Sequence, residues 1–210
     1  MQTTSTILMV RPVDFSFNKQ TAGSNAFQIA SSKQQNVQEK ALNEFEQLVQ
    51  LLQSNGLDVI VINDTKDPHT PDSIFPNNWI STHDNGQVFI YPMEAENRRL
   101  EKREDIIELL KEKFKLSDII DLSYFEGQNK FLEATGSMVL DREYKIAYAC
   151  LSTRTSLEVL DAFSRLSRYK LITFNAVDQT GKAIYHTNVM MCVGTQFAVI
   201  CLESIADLSE

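Results

Sequence analysis

Three polar side chains of different chemistry recur at matching places in this sequence. Asn78, Glu133 and His186 each stand just before or at the start of an apolar run that reads as a strand: Asn78–Thr82, Ser137–Leu140 and Asn188–Val193. A short polar or glycine-containing turn and a second strand follow each one: Val88–Tyr91, Ile146–Cys150 and Phe197–Cys201. The three residues are 55 and 53 positions apart, a spacing that fits no common solenoid repeat. If equivalent units pack around one axis, their equivalent ends meet near it. An amide, a carboxylate and an imidazole then share one pocket. An imidazole titrating near neutrality suits proton transfer, so the expectation is an enzyme.

Each of these residues also has a plainer reading. Asp72-Ser73-Ile74-Phe75-Pro76-Asn77-Asn78-Trp79 is rich in ordinary turn formers, but it places two amides directly before a strand. Glu133 sits between Leu132 and the small-residue bend Ala134-Thr135-Gly136. A buried carboxylate there needs a partner; the alternative is a loop-edge Glu facing water. His186 is the one histidine in a strand-like setting, whereas His69 and His83 fall in loops and are expected to be exposed. Arg154 precedes a helix and could hold an anion at its N-terminus, or pair with Glu158. Arg98 and Arg99 could grip a carboxylate through a bidentate fork, or face solvent with Glu94 and Glu101.

The elements that must position these groups follow from periodicity. Thr6 to Val10 reads as a strand, residues 13–33 as a long polar loop, and Gln34 to Ser54 as an amphipathic helix ended by a left-handed cap at Asn55-Gly56. Leu57 to Ile62 is a near-continuous apolar strand. After the first hairpin a helix is expected over Glu101–Phe114 and a strand over Asp118–Leu122. After the second come a helix over Ser156–Leu166, capped by Thr155, and a strand over Lys170–Phe174. Glu203 to Glu210 reads as the beginning of another helix. The expected organisation is one domain with units at about 1–63, 72–122, 131–175 and 184–210, the last incomplete.

Composition narrows the function. The chain has 210 residues, of which 43% are hydrophobic, with only seven Gly and five Pro, enough for a sizeable core. A net charge of −8 and a lone cationic stretch laced with Glu and Asp argue against nucleic-acid binding, which needs clustered Lys and Arg. No run reaches the roughly 18 apolar residues of a membrane helix, and Met1 to Val10 lacks the features of a signal peptide. The expectation is therefore a cytoplasmic protein. Cys150, Cys192 and Cys201 lie in apolar strand-like context and are expected to be buried, reduced thiols. No CxxC or paired-His spacing appears, so no metal site is expected.

Taken together, the order and spacing of these motifs resemble the pentein superfamily of arginine deiminase, dimethylarginine dimethylaminohydrolase and the amidinotransferases. The resemblance runs from Val10-Arg11-Pro12 to the end of the chain. Phe75-Pro76-Asn77-Asn78-Trp79 and Tyr91-Pro92-Met93 followed by Arg98-Arg99 are most similar to a bacterial amidinotransferase-like branch associated with citrulline use.

That resemblance implies an α/β propeller of ββαβ units, incomplete here, and Cys-His-Glu covalent catalysis without metal or organic cofactor. It implies catalytic roles for Glu133 and His186. Asp72 and Asn78 would hold the planar head of a guanidino or ureido amino acid, and Arg98 and Arg154 its carboxylate. Two departures stand out. The usual Glu-Gly-Gly-Asp is Glu133-Ala134-Thr135-Gly136, and Asn78 stands where the relatives usually carry Asp. An Asn donates and accepts, which suits a neutral ureido head such as that of citrulline.

The nucleophile of the family lies in a fifth unit that this chain lacks. Cys192, six residues from His186, is about 20 Å away along an extended strand. The fragment is therefore expected to be inactive alone, and its partner to be either a complementing C-terminal chain or a second copy. Hydrolysis and amidino transfer remain open, and the alternative function is a non-catalytic binding scaffold of the same fold.

Overall fold

The computed structural model describes residues 2–25, 28 and 36–207. The expected helix start at Gln34, part of the 13–33 loop and the last three residues of the expected terminal helix lie outside the described residues. The chain divides into two compact units, one of residues 4–76 and 95–112, the other of residues 1–3, 77–94 and 113–210.

The first of these units is built on a parallel pair, β1 (Thr6–Arg11) and β2 (Asp58–Asn63), with Thr6 opposite Asp58 and Arg11 opposite Asn63. Parallel neighbours need a crossover, which α1 (Val37–Ser54) supplies. Phe45 and Val49, four residues apart on one face of α1, are buried, as are Val10 and Ile60 of the strands. The helix stops where the backbone turns left-handed at Gly56, with φ +82°. Gly56 N donates to Gln53 O at 3.0 Å and Leu57 N to Leu52 O at 3.1 Å, so carbonyls of the last turn find donors beyond the helix. A one-turn helix α2 (Glu96–Arg99) precedes α3 (Glu104–Lys113), which buries Ile106 and Leu110. The helix expected over 101–114 is thus shorter at both ends.

The other unit repeats one topology. β3 (Ile80–Thr82) and β4 (Gln87–Ile90) form an antiparallel hairpin, and β5 (Asp118–Asp121) adds parallel to β4. After the single turn α4 (Ala134–Ser137), β6 (Val139–Asp141) and β7 (Ile146–Cys150) form the next hairpin. α5 (Leu157–Ser167) then leads to β8 (Lys170–Phe174), parallel to β7. β9 (Met191–Val193) and β10 (Ala198–Ile200) make a third hairpin. The fold class is α/β.

Phe89, Tyr91, Leu132, Met138, Leu160 and Phe163 share one buried cluster. Each such side chain contributes about 1.5–3 kcal/mol of burial, which locks α5 and the first two hairpins of this unit together.

Several local expectations are corrected. The segments holding Asn78, Ser137 and Asn188 are not strand starts. Each is a single helical turn placed before a short strand: Pro76–Asn78, Ala134–Ser137 and Thr187–Val189. Glu203 lies in a further 3₁₀ turn, Leu202–Ser204, not at the head of a longer helix. Ser156, not Thr155, flanks α5, and its hydroxyl accepts from Phe131 N at 3.0 Å, pinning the preceding loop and not the helix end.

Of the cysteines only Cys150 is buried; Cys192 and Cys201 are exposed. Strand alternation explains Cys192, because Met191 and Val193 turn toward an apolar cluster and the residue between them turns away. His83 is not a free loop residue. It lies edge-on to Phe89 at 5.2 Å between ring centres, and its Nε2 meets Ser81 Oγ at 2.9 Å. Burial and the nearby Arg142 and Lys145 charges lower its pKa from 6.5 to about 4.

Candidate active site

The single helical turns bring the chemistry together. The α4 turn lies between the other two: Thr135 Oγ1 donates to Asn77 O at 3.1 Å, and Thr187 Oγ1 donates to Ser137 O at 2.6 Å. A tight backbone makes this convergence close. A β-carbon on Gly136 would lie 2.8 Å from both Cε1 and Nδ1 of His186 and would overlap the side-chain amide of Asn78. Only glycine lets an amide from one turn and an imidazole from another approach the same main-chain atom. Ala134, directly after Glu133, has φ +38° although it carries a side chain. That strained conformation fixes the direction in which Glu133 enters the site.

Glu133 is fully buried, so its charge needs partners. Its Oε2 meets His186 Nε2 at 2.8 Å and accepts from Arg154 Nη1 at 3.3 Å, and its Oε1 accepts from Glu94 N at 3.2 Å. Ser137 Oγ fixes the main chain here: it accepts from Glu133 N at 2.9 Å and donates to Arg154 O at 2.8 Å. An ionised carboxylate only accepts, so the Nε2 of His186 carries a proton whenever Glu133 is charged. The imidazole is nearly buried and leans on Tyr185 with ring centres 4.8 Å apart.

Arg154 is 2% exposed. It does not pair with Glu158, which takes Lys130 at 3.2 Å instead. Its Nε donates to Glu94 Oε2 at 3.2 Å and its guanidinium lies 5.0 Å from the centre of the Tyr185 ring. Among the expected site residues, then, Asn78, Glu133, Arg154 and His186 form one cluster. Glu94 and Tyr185 belong to it as well. Sequence reasoning treated Glu94 only as company for Arg98, and passed over Tyr185 although it directly precedes His186.

Asp72 and Arg98 belong to the other compact unit. Asp72 Oδ2 accepts from Asn18 Nδ2 at 2.7 Å. Arg98 is buried and makes a two-pronged pair with Glu101, Nε to Oε1 at 2.9 Å and Nη2 to Oε2 at 3.0 Å. Its Nη2 also reaches the carbonyls of Asp72 and Phe75, both at 3.4 Å. The fork expected for a carboxylate therefore holds one, supplied by the chain itself.

None of the three thiols is activated by this cluster. Cys150 Sγ donates to Ile184 O at 3.4 Å and lies 3.4 Å from Thr187 Oγ1, and burial raises its pKa, the opposite of what a nucleophile needs. Cys201 Sγ accepts from Ser204 Oγ at 3.3 Å. Among the described residues, no group of His, Cys, Asp and Glu is arranged to hold a metal ion, and no helix is long and apolar enough to cross a membrane.

Residues 11–210 match the family described as N,N dimethylarginine dimethylhydrolase, eukaryotic. The chain belongs to the pentein superfamily. Its fold is that of solved penteins. The N-terminal domain of ArgZ, an arginine dihydrolase from the ornithine-ammonia cycle in cyanobacteria, superimposes with a TM-score of 0.72 at 19% identity over 97% of this chain and 69% of that one. Unliganded AgrE gives 0.68 at 18% identity, covering 95% of this chain and 27% of that one. A dimethylarginine dimethylaminohydrolase adduct gives 0.63 at 16%, covering 93% and 68%. This pentein chain thus spans about a quarter of the full-length ArgZ and AgrE chains. No curated protein sequence matches it.

Proposed function

We propose that this pentein chain carries the acid–base half of an enzyme that hydrolyses the guanidino or ureido group of an arginine- or citrulline-like amino acid. The observation that carries the reading is the fully buried Glu133 bonded at 2.8 Å to His186, with the Asn78 amide on the same glycine. A scaffold has no use for a buried carboxylate and imidazole aimed at one point. Hydrolysis is favoured over amidino transfer by the kinship with an arginine dihydrolase and dimethylarginine hydrolases.

In this mechanism a cysteine thiolate attacks the planar carbon of the head group and forms a C–S bond. His186, held through Nε2 by Glu133, delivers a proton from its Nδ1 side to the departing amine as the C–N bond breaks. It then takes a proton from the water that cleaves the C–S bond and restores the thiolate. Dividing one hard displacement into two in this way is the advantage of covalent catalysis. Asn78 holds the head group, donating to a ureido oxygen or accepting from a guanidino N–H. Arg154 is assigned to the substrate's carboxylate or, given its own ion pairs, to fixing Glu133 and Glu94 beside it. The thiol comes from a complementing C-terminal part, because Cys150, Cys192 and Cys201 are placed as structural or surface residues. The reaction is assigned to the cytoplasm and needs no cofactor.

The test is product formation from arginine, dimethylarginine and citrulline, quantified by mass spectrometry with and without the complementing part. Turnover should be present in the complemented protein and lost in His186→Ala, with an unchanged circular dichroism spectrum. Turnover that survives His186→Ala, or none with any of these compounds, would return the chain to the scaffold reading. Strong preference for arginine or dimethylarginine over every ureido compound would overturn the ureido reading of Asn78.

A further inference from the structure

Behind the Glu133–His186 pair lies a closed ring of contacts. Glu94 N donates to one oxygen of Glu133, Arg154 Nη1 to the other, and Arg154 Nε returns to the Glu94 carboxylate. Two acids are thereby bridged by one guanidinium, and Glu94 enters the ring twice, through its main chain and its side chain. The segment is held rigidly enough for this: Leu132 N donates to Pro92 O at 3.1 Å, and Met93 N to Glu126 Oε1 at 2.8 Å.

We propose that Glu94 is a positioning residue for the acid–base pair, orienting Glu133 through its N–H and offsetting the charge of Arg154 that would otherwise oppose a proton on His186. This rests on the reading of Glu133 and His186 as the acid–base pair. The charges explain why such a residue is needed. Arg154 donates to the same Glu133 oxygen that meets His186 and so offsets part of the pull of that carboxylate on an imidazole proton. With Glu94 included, the array carries one net negative charge when His186 is neutral and none when it is protonated. The Glu94 side chain is 30% exposed, against 3% for Arg154 and none for Glu133. Among the described residues, Glu133 contacts His186 directly, and Arg154 and Glu94 stand behind it.

The experiment follows the ring nitrogens of the histidines by NMR through a pH titration of the chain itself, so no turnover is required. Three histidines make assignment tractable. In Glu94→Gln, the midpoint for His186 should fall by about half a pH unit or more. That is the effect of removing one charge several ångströms away at an effective dielectric between that of water and about 20. Glu94→Asp should restore most of it. A midpoint unchanged in Glu94→Gln overturns the proposal, as does a spectrum disturbed throughout the chain that Glu94→Asp fails to rescue, since that would make Glu94 merely structural. The reading beneath it fails separately: Glu133→Gln leaving the His186 resonances and midpoint in place would show that the pair itself does not exist.

Discussion

Placing one methyl group on Gly136 tests the site most directly. Its conformation is open to any residue, since its φ is not among the positive values, and only the neighbours forbid a side chain. The new β-carbon in Gly136→Ala would sit 2.8 Å from two atoms of the His186 ring, whereas unstrained contacts begin near about 3.5 Å. Either the ring or the α4 turn must give by roughly 0.7 Å. The Glu133–His186 bond is only 2.8 Å long; lengthened by that amount, it leaves hydrogen-bonding range. Overpacking of this kind costs about 1–3 kcal/mol, and misplacing a catalytic group by about 1 Å costs on the order of a hundredfold in rate.

Urea unfolding should therefore show Gly136→Ala destabilised by about 1–3 kcal/mol. The His186 ring resonances should move, and turnover in the complemented protein should drop about a hundredfold. Adding Asn78→Ala should recover part of the stability, because one of the two obstructed groups is removed, but not the rate. A variant that unfolds at the wild-type midpoint with His186 undisturbed would refute the close approach and with it the shared site.

Two further outcomes follow from burial. His83 titrates near 4 when folded and near 6.5 when unfolded, so the unfolded chain binds the extra proton between those values. Its stabilising contribution is complete above about pH 6.5 and falls by at most about 3 kcal/mol as pH drops through 4; His83→Phe should flatten that slope in urea unfolding at stepped pH, and parallel slopes would refute it. A thiol-reactive dye should label Cys192 and Cys201 within the native protein and Cys150 only on unfolding, since the first two are exposed and the third is buried; three equally fast thiols would contradict the placement of β7.

Much of the architecture was legible because it is encoded at short range. Phe45 and Val49 recur at helical spacing in α1, and Asn55-Gly56 carries its own stop signal. The strands β5, β7 and β8 fall where their apolar runs lie. Reading failed where two elements compete for the same few residues. Pro76–Asn78, Ala134–Ser137 and Thr187–Val189 are each too short to show a period, so the strand beyond each one masked the turn. Thr155 and Ser156 are equally good caps locally, and only the bonds of Ser156 to the loop at Phe131 separate them. His83 looked like a loop residue because its neighbours Asp84, Asn85 and Gly86 are a turn; the aromatic wall that buries it comes from elsewhere in the chain.

By itself the sequence determined which side chains were available for chemistry and the repeating frame that carries them, because residue type and periodicity are properties of neighbouring positions. Tertiary structure alone decided who meets whom. Glu133 finds His186 across 53 residues, Glu94 across 39 and Arg154 across 21, and Arg154 takes Glu94 over the nearby Glu158. The reason is energetic: a buried charge must be answered by whatever group the packed backbone delivers to it. That delivery depends on the whole arrangement of turns and sheets within the unit, not on distance along the chain.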